Sequence, residues 1–267
     1  MIDHVTNATS GNMKSISVED QFSLMLSILR RGWTYIETGY MFNVSDETAA
    51  CVFKTWLMFV FRKFDDIRDQ MYTKRSDFTQ PLPECFRNEL LKDVRIILDA
   101  TEVKIEGSIN YEEQGNTHSS YKDHTTGKAV YGVGPHGNLM FASSVFEGSI
   151  SDKELCLQSK VAEPLLPGDV VLADRGFVIE EQLIPKGARL IMPPFKGRRD
   201  SFNIEEVTSA RLITRARIPI EQFNERVKNW TFFGNRVIPH HYKALLTPIA
   251  FVTACLANFT ETLVKQY

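Results

Sequence analysis

Two stretches of the chain share one shape, an apolar run that stops at an aspartate. VRIILDATE (94–102) ends its run at Asp99, and VVLADRGF (170–177) ends its run at Asp174. Aliphatic, β-branched runs of this length, closed by turn formers, read as buried strands. A carboxylate at the end of one such strand is a common turn residue. Two of them ask for a shared explanation. In open α/β sheets, sites lie beyond strand ends. If these two strands are neighbours, the carboxylates converge and repel unless a cation lies between them.

Around these strands the pattern changes twice. Residues 1–14 are polar and expected to be disordered. From Ser17 to Phe64 the apolar spacing is helical. Ser17, Thr34 and Ser45 are N-cap candidates for three helices, the third preceded by the tight turn FNVS. That arrangement matches a helix-turn-helix module over 15–64. Residues 65–92, with the two prolines of QPLPECF, read as a linker. From 93 onward the order is three strand segments, a helix over 151–166, two more strands and closing helices, with PHGN as the hairpin turn between the second and third strands. This is an α/β domain with a mixed sheet, preceded by a small all-α unit.

Composition narrows the class. The chain has 267 residues, 43% hydrophobic and 24% charged, with a net charge of −2, as in ordinary soluble globular proteins. Four scattered cysteines form no CxxC, which argues against a zinc knuckle or disulfide framework and suits a reducing compartment. No secretory signal pattern opens the chain, and the most apolar segment, ALLTPIAFVTACLANF (244–259), is broken by Thr, Pro and Asn, so a core helix is expected and no membrane partner.

Hard divalent cations take oxygen ligands and are often held by one or two carboxylates together with substrate phosphates. A third acid from a facing helix would complete such a cradle. RARIPIEQFNERVKNW (215–230) offers Glu221, with Pro219 expected in the first turn of its helix, and Glu225 one turn later. Spacing alone does not separate the two. Asp152, in GSISDKE, reads as a helix cap with chemistry as its alternative, and Glu102 reads as a surface residue.

Residues 186–236 hold eleven Lys and Arg against five Asp and Glu, a local surplus of six positive charges in a slightly acidic chain. Lys and Arg that neutralise phosphates supply most non-specific DNA affinity. The loop FKGRRD (195–200), with Lys196, Arg198 and Arg199, is the strongest patch, and Arg217 and Lys228 extend it. The third helix of the N-terminal unit opens instead with Ser45, Asp46, Glu47 and Thr48, an acidic start for a recognition helix.

LDATEVKIE, HSSYKDHTTGKAVYGVGPHGNLMFASSVFEGSISDKE, GDVVLADRGFVI, RLIMPPF and RIPIEQFNERVKNW, in this order over about 94–259, resemble the DDE transposase/endonuclease domain of the PIF/Harbinger-like, insertion-sequence-related group. The stretch 15–64 is similar to the helix-turn-helix that precedes this domain in such proteins. The resemblance implies an RNase H-like fold over 93–267. It also implies cutting and joining of double-stranded DNA with two Mg2+ or Mn2+ ions, held by Asp99, Asp174 and Glu221, thereby choosing Glu221 over Glu225. Asp152 falls in the recurrent GSxSD motif and is a secondary candidate. Homo-oligomerisation, and a nuclear location in a eukaryote or a nucleoid one in a bacterium, are further expectations. The additional zinc-binding module of many animal relatives is expected to be absent or trimmed.

The chain departs from the family pattern at one place. Where the group reads Arg-Ile-His-Val-Glu-Arg, this sequence has Arg217, Ile218, Pro219, Ile220, Glu221 and Gln222. A second reading, a domesticated, catalytically weak DNA-binding or adaptor protein, draws on that loss. A general nuclease on the same fold is a third.

Overall fold

In the computed structural model, the structure describes residues 16–73, 81–107, 118–119, 124–195, 203–234 and 236–260. Expectations for 1–14 and for the FKGRRD bases Lys196, Arg198 and Arg199 lie outside these residues.

Three helices open the described chain: α1 (Val18–Arg31), α2 (Tyr35–Phe42) and α3 (Asp46–Asp65). Their boundaries follow from their caps. The hydroxyls of Ser17, Thr34 and Ser45 accept the N–H groups of Asp20, Glu37 and Thr48. Each satisfies a donor that the helix itself leaves free. Between α2 and α3, Asn43 takes the left-handed turn with φ 53°. A short helix α4 (Arg68–Met71) follows.

The sheet is mixed, with helices against both faces. Its strands are β1 (Val94–Lys104), β2 (His118–Ser119), β3 (His124–Val133), β4 (Leu139–Ala142), β5 (Phe146–Glu147), β6 (Val170–Leu172) and β7 (Arg189–Ile191). Among the described residues the order is β2-β3-β1-β6-β7, with β4 and β5 also pairing with β3. β1 is antiparallel to β3 and parallel to β6, which is parallel to β7. The PHGN turn joins β3 to β4, and Gly137 takes φ 82°, a backbone state that glycine reaches without a steric penalty. β2 had no signature in the sequence, and the third strand segment divides into β4 and β5.

Alternation along β1 sorts its side chains onto two faces. Ile97 and, through an irregularity between Val94 and Ile96 that interrupts the alternation, Val94 join Tyr131, Leu172 and Phe223 in the core beneath the long helix α7 (Ile204–Lys228) and the last helix α8 (Leu246–Ala257). Ile96 and Leu98 join Val130, Val171 and Leu155 in the core beneath α5 (Asp152–Ser159) and α6 (Glu180–Leu183). The run leading to Asp99 is not wholly apolar: Arg95 is 2% exposed, with its guanidinium over the Tyr72 ring at 5.2 Å.

The N-terminal helices share their core with the end of the chain. Leu24, Phe53, Trp56 and Leu57 pack in one cluster with Phe232, Tyr242, Leu246 and Ile249. The 65–92 stretch, read as a linker, places Phe86 and Leu91 fully buried in the core beneath α7. No helix among the described residues is long and apolar enough to cross a membrane.

Candidate active site

Register brings the two acids to one place, although only Asp174 follows a strand end: Asp99, expected to end its strand, lies inside β1, which β3 keeps paired to Lys104. Ile97 of β1 stands opposite Leu172 of β6 in parallel pairing. Asp99 and Asp174 each follow two residues later, so they arrive at the same level and on the same sheet face. β6 has ended by then, while β1 continues to Lys104, paired with β3. Asp174 therefore heads a turn, accepting the N–H of Arg175 at 2.8 Å. Arg175 donates to the Pro194 carbonyl at 2.8 Å and lies over the Phe195 ring, tying this turn to the segment after β7.

α7 covers the acids. Its capping box, Asn203 with Glu206, starts it far upstream of Pro219, so the proline is not in a first turn as expected. It is buried inside the helix, where it removes the N–H that would bond the Arg215 carbonyl. The helix presents Ile213, Ala216, Ile220, Phe223 and Val227 to the core. At ~100° per residue, Arg217, Glu221, Asn224 and Lys228 form the stripe bordering that face.

Two members of the stripe reach the acids. Asn224 Nδ2 donates to Asp99 Oδ2 at 2.8 Å. The guanidinium of Arg217, expected at DNA phosphates, spans both carboxylates, with Nη2 3.7 Å from Asp99 Oδ1 and Nη1 3.4 Å from Asp174 Oδ1. Burial pushes the Asp99 carboxyl above the usual carboxylate range; Arg217 pulls it down, the negative charge of Asp174 pushes it up, and the Ala100 N–H and Asn224 pull it down. Neither the α7 stripe nor Asn224 was visible as a site in the sequence, although Arg217, Glu221 and Asn224 at i, i+4 and i+7 is the spacing that would have suggested it.

Glu221 is exposed on the same stripe. On ideal helix geometry it lies about 40° around the helix from Arg217, against about 80° for Glu225. Among the described residues, no three His, Cys, Asp or Glu side chains form a group that could hold a metal ion. The structure thus pairs Asp99 with Asp174 through Arg217 and leaves Glu221 at the rim. Lys228 is exposed in the last turn of α7.

Asp152 lies across the sheet from this pair. Ser151, not Asp152, caps α5, accepting the Glu154 N–H, and Asp152 is the first helical residue. Its carboxylate pairs with Lys128 of β3 at 2.7 Å. Its Oδ2 also lies 2.3 Å from where a Cβ on Gly176 would sit, within the turn that Asp174 opens. Glu102 stands opposite Lys128 in the β1–β3 register and is partly buried rather than a free surface residue.

Asp99 and Asp174 are two oxygen donors of the kind that divalent cations take together with substrate phosphates. The two carboxylates meet where β6 ends, and beside them Asn224 Oδ1, a further oxygen donor, is buried without a hydrogen-bond partner among the described residues. Buried polar atoms are rarely left unpaired, and those that are ask for an explanation. No curated protein matches the chain. The family model of the DDE superfamily endonucleases matches residues 98–258, which begins beside Asp99 and includes Asp174, Arg217, Glu221 and Asn224. On that match over more than half its length, the chain belongs to the DDE superfamily endonuclease family.

Proposed function

We infer that the protein is a metal-dependent DNA endonuclease and strand transferase of transposase type, in the PIF/Harbinger-like group. The observation that carries this reading is the alignment of Asp99 and Asp174 by the parallel register of β1 and β6, beneath the helix α7 that also carries Glu221. Asp99, Asp174 and Glu221 would hold two Mg2+ or Mn2+ ions. Such ions, when bound, neutralise charge on the scissile phosphate and favour in-line attack by water or a 3′ hydroxyl.

The chain's own groups bind and orient. Asn224 fixes the direction of the Asp99 carboxylate through one oxygen. Arg175 anchors the turn that carries Asp174 to Pro194, ahead of the basic loop. Lys196, Arg198, Arg199 and Lys228 supply phosphate contacts, with Arg217 within reach of both acids and substrate. Such contacts position the duplex without reading its sequence. The three N-terminal helices serve as a helix-turn-helix, and the enzyme works as a homo-oligomer, in the nucleus of a eukaryotic host or the nucleoid of a bacterial one.

A second reading, a DNA-binding adaptor with weak catalysis, is favoured by Pro219 and Gln222 at the positions where the family pattern has His and Arg, and by the acidic start of α3. Asp174→Asn separates the two. The enzyme reading expects Mg2+- or Mn2+-dependent nicking by the wild type, none by the variant, and equal DNA retention by both. DNA retention without metal-dependent cutting in the wild type favours the adaptor.

A further inference from the structure

Asn224 and Arg217 touch the same carboxylate in different ways. The Asn224 amide is 7% exposed and bonds Asp99 at an ordinary hydrogen-bond length of 2.8 Å. The Arg217 contacts of 3.4 and 3.7 Å are longer than the roughly 2.7–2.9 Å of a charge-assisted hydrogen bond. Its guanidinium bridges two acids by charge without gripping either, and its Nε makes no hydrogen bond among the described residues. The arm is long and unbranched, and its neighbours on the helix, Ile218 and Glu221, are exposed.

We propose that Arg217 is a positioning residue that acts as a displaceable cation, holding Asp99 and Asp174 together in the metal-free protein and leaving when a divalent ion enters. Asn224 stays, and keeps Asp99 aimed while the cation is exchanged. The proposal rests on the metal-site reading above. It distinguishes Arg217 from a residue that helps to bind the ion, because removing a competitor tightens metal binding and removing a helper weakens it. It also predicts opposite effects on the two states: without Arg217 the metal-free acids lose their counter-charge, while the metal-loaded site loses nothing.

The test is Mn2+ titration of the full chain without DNA, read as the electron paramagnetic signal of free Mn2+, together with thermal melting. Arg217→Gln is expected to bind Mn2+ about five- to tenfold more tightly than the wild type, the scale of removing a partly screened charge contact. It is expected to melt lower without metal and to match the wild type at saturation. Asp99→Asn should bind no Mn2+ at the site. In the wild type, the Arg217 Nε–H resonance should shift when Mg2+ is added, a reading that holds even if the variant folds poorly. Unchanged or weaker Mn2+ binding by Arg217→Gln, or an unmoved resonance at saturating Mg2+, overturns the proposal and leaves the metal site standing. Absence of any Asp99-dependent Mn2+ binding in both wild type and Arg217→Gln overturns the proposal and the metal-site reading together.

Discussion

Asn224 of α7 donates its side-chain amide to Oδ2 of Asp99, an acid in the middle of β1 whose other oxygen faces Arg217. The helix is thereby locked over the sheet at the level where the acids meet. Asn224→Ala removes the donor and leaves a buried carboxylate oxygen unpaired, a loss of about 1–3 kcal/mol. Denaturant unfolding of the metal-free protein reads it directly. Asn224→Asp should be worse near neutral pH, because it places a further negative charge against Asp99.

Gly176 has no room for a side chain because Asp152 fills it. A Cβ there would lie 2.3 Å from Asp152 Oδ2, so Gly176→Ala must push the carboxylate off Lys128 or move the turn that carries Asp174. We expect Gly176→Ala to destabilise the fold and Asp152→Ala to relieve part of that cost. The double variant should therefore be more stable than the sum of the single losses allows, by roughly 0.5–3 kcal/mol, the range of coupling between residues in contact. Additive losses would show that the turn relaxes independently of Asp152.

The four cysteines differ sharply in environment. Burial pushes the thiols of Cys156 and Cys255 up to about 12, with the Asp152 charge adding to the effect at Cys156. Cys51 is exposed on α3. Only the thiolate is nucleophilic. Alkylation of the native protein at pH 8 should modify Cys51 within minutes and leave Cys156 and Cys255 untouched until denaturant is added. Peptide mass mapping reads this outcome.

Much of the scaffold was written locally. The caps Ser17, Thr34 and Ser45, the PHGN turn and the apolar strand runs before Asp99 and Asp174 depend on residues a few positions apart, so pattern reading reaches them, although β1 runs on past Asp99 to Lys104 because β3 stays paired with it. Pro219 misled because proline usually opens a helix, and here the surrounding packing of Ile213, Ala216, Ile220 and Phe223 carries the helix through it. Arg217 and Asn224 stayed hidden because their roles depend on which acids the sheet register brings beneath α7, information spread over more than a hundred residues. The packing of the first three helices against α8 was equally invisible, since an apolar helix face does not name its partner.

That shared core makes a stability prediction. Ile249 of α8 is fully buried in the cluster that includes Leu57 of α3. Ile249→Ala should cost about 2–5 kcal/mol. The loss should appear as one unfolding transition moved to lower denaturant, followed both by far-UV circular dichroism and by tryptophan fluorescence from Trp56. Two separated transitions would mean that the N-terminal helices fold as an independent unit.

The proposed enzyme places Asp99, Asp174 and Glu221 around one pair of divalent ions. Iron-directed cleavage of the polypeptide tests it most directly. Fe2+ bound in place of Mg2+, with ascorbate and peroxide, generates radicals that cut only the backbone beside the ion. The account predicts cuts clustered near residues 99, 174 and 221, suppressed by excess Mg2+ and abolished in Asp99→Asn. Cuts near 99 and 174 but none near 221 would remove Glu221 from the site, and cuts confined to other parts of the chain would contradict the account.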